Sequence, residues 1–319
     1  MKIVLMDGGL SNQMTQYIFA RCLQEETQDD VFMDDLWFYV PHSSLAEEAA
    51  PIENHRLQLE KFKNRKKIPF MSEYFGKDTW EKIIQSSIQR GPLTAGSWMP
   101  QILKDIGLQF FMIAEAPVFQ FDGMVARMPY YYCMPEMLLA QGNVYYFGWF
   151  ANGGWLMRHE EILRHELELP PLLNEADLKM AEEIEQSYAV SVHVRCSGGY
   201  KAQGIAFWPS YYNSQIQNIC RLLEIKKESL SKEPHFFVFS DDIAWCREHA
   251  AELGLSELPY SVTFSQDKRE PDESQNDMKL MSMCDILLLN NSVYGYMGAL
   301  MNPKPDKIVL NPIPSRGLF

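Results

Sequence analysis

Three polar loops in the second half of this 319-residue chain carry the residue types that could do chemistry. After the apolar run AVSVHV comes RCSGGYKAQG. His193 and Arg195 alternate with valines and so point to one side of a strand end. A guanidinium there is a planar fork suited to phosphate, and Gly198 and Gly199 would let backbone come close to a ligand. A surface ion pair and a flexible turn would use the same residues. After HFFVF come Ser240, Asp241 and Asp242. A carboxylate at that place accepts hydrogen bonds from a ribose hydroxyl or a guanine edge, or it caps the helix that follows. After ILLL come Asn290, Asn291 and Ser292, which precede a helical stretch and either cap it or combine with its N-terminus into an anion pocket. All three loops fall at equivalent sheet ends, and their agreement favours a bound nucleotide. No third carboxylate or histidine stands at ligand spacing near Asp241 and Asp242, which argues against a metal pair.

The first strand raises a related question. KIVLMD runs into GGLSNQ, where Gly8, Gly9, Asn12 and Gln13 lie between an apolar run and a helix. Strand, glycine turn and helix start make a cradle for a phosphate or polar ligand, and equally a plain corner. The spacing is not G-x-G-x-x-G, and no acidic residue follows at a clear second strand end, so a dinucleotide oxidoreductase is disfavoured.

The elements that position these loops follow from periodicity. From Ala189 onward, short apolar runs alternate with helical patterns: AVSVHV, SYYNSQIQNICRLLEI, HFFVF, IAWCREHAAEL, SVTF, NDMKLMSMC, DILLLN, VYGYMGALM and KIVL. That alternation predicts an α/β, doubly wound parallel sheet. The N-terminal half begins alike, with strand KIVLM and a helix whose apolar stripe is Met14, Ile18 and Cys22, with Phe19 and Leu23 beside it. Between about Asp35 and Arg90 the pattern is mixed, and the basic run KFKNRKK reads as a solvated segment or as an acceptor or lipid-headgroup contact. Strands recur at QFFMI and VYYFG. Pro170 and Pro171, followed by the helix cap Asn174, place a boundary near residue 172. The expected domains are thus 1–172 and 173–319, with a cleft between them and ligands at the loop ends.

Composition narrows the class. The net charge is -13, which disfavours nucleic acid as a partner and requires any anion to be held locally. Six cysteines without C-x-x-C pairing read as reduced thiols of a cytoplasmic protein, with no zinc site. No apolar run approaches the length of a membrane span. Aromatic residues make up 13% of the chain, concentrated in PYYYC and YYFGWF, and suit either a core or stacking on bases and sugars.

Taken in order, GGLSNQMTQYIFA, YYFGWFANGGWL, VSVHVRCSGGY, FFVFSDDIAWCREH, NDMKLMSMCDILLLNNSVYGYMGALMN and KIVLNP resemble the bacterial α-1,2-fucosyltransferases of glycosyltransferase family 11. The family pattern reads GGLGNQMFQYAFA, HVRRGDY, FSDD followed by W-C, and NSSFSWWGAWLN. The resemblance implies a GT-B fold of two Rossmann-like domains. It implies inverting transfer of L-fucose from GDP-L-fucose to a hydroxyl of a galactoside-type glycan in α-1,2 linkage, in surface polysaccharide synthesis, without a bound metal or other cofactor. The partners implied are a nucleotide sugar and a glycan acceptor, with peripheral association at a membrane where the acceptor is lipid-linked. By position, His193 and one of Asp241 and Asp242 would contact the guanosine, Arg195 the pyrophosphate, and Asn291 with Ser292 the phosphates at a helix start. The GGLSNQ loop would close the site on donor and acceptor. Transfer to a different GDP sugar, or nucleotide or glycan binding without catalysis, are the competing readings.

Two departures bear on mechanism. The first arginine loop reads Arg195, Cys196, Ser197, Gly198, Gly199, Tyr200, one residue longer than the family pattern and without its second arginine or its aspartate. Lys201 is the nearest substitute cation. In the last block, the family's paired tryptophans are replaced by Tyr296 and Met297. Departure of a nucleoside diphosphate builds negative charge, so Arg195 and a helix N-terminus would carry the stabilisation. With the loop aspartate gone, Asp7 is the candidate general base by position; its other role would be to hold the glycine turn.

Overall fold

In the computed structural model, residues 1–41, 56–93, 96–116, 119–129, 135–152, 156, 158–196, 209–267, 269–270, 273–290 and 292–311 are described. They form two compact units that divide between Glu168 and Leu169, just before the Pro170–Pro171 pair.

The first unit is built on strands β1 (Lys2–Leu5), β2 (Val31–Asp34), β3 (Phe111–Ala116), β4 (Gln120–Asp122), β5 (Val125–Pro129) and β6 (Val144–Phe147). Their order is β2-β1-β6-β3-β5-β4. Every neighbouring pair is parallel except the edge hairpin β4–β5. The helix Leu10–Thr27 returns the chain from β1 to β2. It is not the one-sided helix that its stripe predicts. From Met14 to Leu23 every residue is buried, including Gln16 and Arg21. The cause is a second cover: Gln13 is bonded to the backbone of Arg56 and Gln58, Tyr17 to that of Lys66, and Arg21 to Glu166. The basic run thus lies over this helix through its backbone, with Lys66 and Lys67 side chains exposed. Strand β2 and the β4–β5 hairpin fall in stretches where periodicity gave no prediction.

The second unit carries β7 (Tyr188–Val194), β8 (Pro234–Ser240), β9 (Ser261–Phe264), β10 (Ile286–Leu288) and β11 (Ile308–Leu310), in the order β11-β10-β7-β8-β9. All pairs are parallel, as the alternating pattern predicts. Val190, Val192 and Val194 pack with Phe236, Val238, Ile286 and Leu288 against Tyr212, Ile216, Ile219 and Leu223 of helix Pro209–Lys226. Near-continuous apolar strands suit a sheet covered on both faces. One helix is shorter than expected: IAWCREHAAEL is helical only over Ile243–Glu248, after which the chain turns through Gly254 at φ +81°.

Among the described residues, no helix is long and apolar enough to cross a membrane. The described cysteines are all free thiols: Cys22, Cys196, Cys246 and Cys284 are buried and Cys220 is partly so.

Candidate functional site

In the second unit the chain runs from β7 outward to β8 and β9, then crosses back to lay β10 and β11 on the other side of β7. The reversal falls between β7 and β10. In open α/β sheets the crevice at such a switch point, beyond the strand C-termini, is where ligands collect. His193 and Arg195 end one of these strands, and Asn290 and Ser292 follow the other.

His193 is almost wholly buried, and its Nδ1 has no hydrogen-bond partner. Burial lowers its pKa to about 4, with Asp241 and Asn290 opposing and Arg195 reinforcing the shift. The ring is therefore neutral at pH 7. A β-carbon built at Gly295 would stand 2.4 Å from that Nδ1. Only a glycine at the start of helix Val293–Met301 leaves room for the imidazole. Ser292 caps this helix through Oγ, accepting from the Tyr294 amide, while the Asn290 side chain accepts from the Ser292 amide through Oδ1 at 2.9 Å. The result is a buried imidazole with an unused nitrogen against a capped helix start, where exposed amides favour anions.

Arg195 is 40% exposed on its side chain and pairs with Asp241, Nη1 to Oδ2, at 2.9 Å. The other carboxylate oxygen of Asp241 accepts from the Cys196 amide at 2.7 Å. Asp241 thus holds both the guanidinium and the backbone that carries it. Asp242 is spent elsewhere: its carboxylate caps helix Ile243–Glu248 by accepting from the Trp245 amide. Ser240 Oγ accepts from the Asp242 amide and lies 3.5 Å from Cys196 Sγ. So Asp241 faces the site, Asp242 caps the helix, and Ser240 stabilises the turn between them. Cys196, where the family pattern has its second arginine, is turned inward, 2% exposed and 4.0 Å from Cys246 Sγ. A cation at 196 would be buried in the core rather than presented to a ligand. Asn291, and with it Gly198, Gly199 and Lys201, lies outside the described residues.

The remaining predicted residues belong to the first unit. Gly8 adopts φ +67°, and a β-carbon there would meet the Asn12 amide nitrogen at 2.5 Å. Gly9 caps the helix in extended geometry with open space around it. Asn12 stays partly exposed beside Gly8. Gln13 is the correction: it is wholly buried, its amide nitrogen donates to the Gly8 and Arg56 carbonyls, and its oxygen accepts from the Gln58 amide. Its side chain ties the turn to the covering segment and is not available to a sugar.

Asp7 has two partners that sequence reasoning missed. Gln16, also wholly buried, donates to Asp7 Oδ1 at 2.7 Å and accepts from the Asp7 amide at 3.1 Å. The Trp149 indole also lowers the pKa of this carboxylate. Burial raises the Asp7 pKa to about 6 against the influence of both groups. A carboxylate tuned in this way is ionised at pH 7 and basic enough to take a proton. The signal for Gln16 was a polar residue inside an apolar helix pattern. For Gly295 it was a glycine within a helix. Among the described residues, no group of three or more His, Cys, Asp or Glu side chains could hold a metal ion.

An Escherichia coli alpha-1,2-colitosyltransferase is 29% identical over 181 residues, covering 54% of this chain and 57% of the relative, so the match spans little more than half of that protein. The Escherichia coli O-antigen biosynthesis glycosyltransferase WbnK is 25% identical and covers 96% of this chain and 92% of its own length. Among solved structures, the NodZ alpha-1,6-fucosyltransferase soaked with GDP-fucose aligns with a TM-score of 0.45 at 13% identity, over 95% of this chain and 92% of that one. A variant of Arabidopsis thaliana FUT1 in complex with GDP aligns with a TM-score of 0.43 at 9% identity, over 97% and 69%. The profile of Glycosyl transferase family 11 matches residues 138–313, which take in β7 through β11 and the loops that follow β7, β8 and β10. This chain is a glycosyltransferase and belongs to glycosyltransferase family 11.

Proposed function

We propose that the chain transfers L-fucose from GDP-L-fucose to a glycan hydroxyl in α-1,2 linkage, with inversion at the sugar carbon. In this reading the donor is held by the second unit and the acceptor by the first. The observation that carries the reading is Arg195, clamped by Asp241 at the switch point beside His193 and the start of helix Val293–Met301. As the sugar–phosphate bond breaks, charge accumulates on the diphosphate. Donors fixed beforehand stabilise that charge without reorganising, and loss of one typically costs about 2.7–4 kcal/mol. Arg195 and the helix amides supply this stabilisation in place of a metal ion. Asp7 takes the proton of the attacking hydroxyl, its basicity set by burial and by the Gln16 and Trp149 side chains.

One comparison favours a second reading of the donor: the 29% identical relative is named for colitose transfer in the same linkage. Both readings keep the diphosphate site and differ only in the sugar. Calorimetry with GDP, GDP-fucose, GDP-mannose and UDP tests the donor class, followed by transfer assays with galactoside acceptors. GDP binding with turnover of a GDP-deoxyhexose is expected. Binding of UDP without GDP would overturn the proposal.

A further inference from the structure

Trp149 is unusual in its surroundings. It is one of the large apolar residues that remain exposed, at 36%, yet its position is fixed from several directions. Its amide, and that of Phe150, donate to Glu115 Oε2 at 2.7 and 3.1 Å, and Glu115 is itself buried. Phe150 takes a left-handed backbone, φ +51°, and turns its ring inward to stack on Phe19 at 3.9 Å. A non-glycine residue in that region costs energy and persists only where its surroundings impose it. Gly148 leaves no room for a β-carbon, which would stand 2.7 Å from Glu115, and its carbonyl accepts from Gln16. Gln16, finally, donates both to Asp7 Oδ1 and to the Gly148 carbonyl and so sets this segment beside Asp7, whose pKa the indole lowers.

Exposed indoles normally keep rotamer freedom, and buried ones are held by their apolar packing. Here a buried carboxylate, a strained neighbour and the Gln16 bridge all hold one in place beside a partly exposed Asp7. An aromatic surface next to a carboxylate matches a hexopyranoside: axial C–H bonds lie on the ring, and a hydroxyl donates to the acid. We infer that Trp149 is the platform on which the acceptor sugar lies, and that the Gln16 bridge from Asp7 to Gly148 sets the distance between the stacked sugar and the group that deprotonates it. This rests on the transferase reading above and names its acceptor subsite.

The test separates the two. Saturation-transfer NMR with methyl β-galactoside, methyl β-glucoside and methyl N-acetyl-β-glucosaminide reads acceptor binding, while GDP titration reads the donor site independently. At least one glycoside should bind the wild-type protein, Trp149→Ala should weaken it about tenfold or more, and GDP affinity should not change. Trp149→Phe keeps a ring without the N–H. It should hold the glycoside within about threefold and move the acid limb of kcat/KM to higher pH, because the indole lowers the Asp7 pKa. Glycoside binding indifferent to Trp149→Ala, or absent from the wild-type protein for all three probes, overturns the inference. Failure to bind GDP overturns the donor reading instead.

Discussion

Arg195 and Asp241 form an ion pair of 2.9 Å between the loops after β7 and β8, and the same aspartate accepts the Cys196 amide. The arginine proposed to meet a diphosphate is therefore held by a neighbouring loop of the same sheet. Pre-positioning of this kind lowers the reorganisation needed when charge develops.

The pair also separates catalysis from stability. Its arginine is half-exposed, and such pairs contribute about 0–1 kcal/mol to folding. Arg195→Ala should leave the thermal midpoint nearly unchanged while lowering kcat about 10²–10³-fold. Asp241→Asn retains an oxygen for the Cys196 amide but loses the charge. It should fold normally and reduce kcat less than the arginine variant. Thermal melts beside steady-state rates check both, and near-normal turnover in Arg195→Ala would remove the arginine from the mechanism.

Gly295 lends itself to a comparison of magnitudes. Alanine in place of a helical glycine gains up to about 1 kcal/mol of propensity. The added carbon would sit 2.4 Å from His193 Nδ1, and overpacking of a buried site typically costs 1–3 kcal/mol. Gly295→Ala should therefore lower the thermal midpoint and weaken GDP binding through displacement of the imidazole. Gly9→Ala is the control: its backbone is extended and no atom lies within reach of a β-carbon. Equal stability of Gly295→Ala and wild type would mean that His193 moves freely.

The contrast between these two glycines shows what was legible beforehand. The sheet of the second unit was readable because each strand is a short apolar run ending in a polar loop. Parallel pairing then fixes which loops share an edge. His193, Arg195, the Asp241–Asp242 pair and Ser292 could be singled out on that basis alone. Gln13 could not, because its burial depends on Arg56 and Gln58, more than forty residues on, in a stretch without clear periodicity. The division of labour between Asp241 and Asp242 was equally hidden: adjacent identical residues differ only in which loop folds back on them. Trp149 and Asp7 are 142 positions apart, and only the parallel pairing of β1 with β6 brings their strand ends side by side.

Metal dependence gives a direct test of the charge argument. If Arg195 and the helix start neutralise the leaving diphosphate, extensive dialysis against EDTA should leave transfer within about twofold of the untreated rate, well inside the 10²–10³-fold that loss of one such donor costs. Loss of activity on chelation, restored by a divalent cation, would show that these groups do not suffice.

The pH dependence of Asp7 works in opposite directions on rate and stability. As a base it must be ionised, so with a folded pKa of about 6 the kcat/KM profile should have an acid limb near pH 6. For stability the sign follows from proton counts. Between the ordinary carboxyl value of 3.8 and about 6, the folded protein holds a proton that the unfolded chain has released. Stability from this group is therefore lost as pH rises through that window, and above it the buried charge remains a cost. Asp7→Asn removes the charge. Relative to wild type it should become progressively more stable from pH 4 to pH 7, with a gain on the order of 1–3 kcal/mol, while losing transfer activity across the whole range. Gln16→Leu deletes a bond that lowers the same pKa and should move the acid limb upward. Denaturant melts and rate profiles over the same pH series measure both effects. A stability difference between Asp7→Asn and wild type that stays constant from pH 4 to pH 7 would show that Asp7 is not titrating in the folded protein.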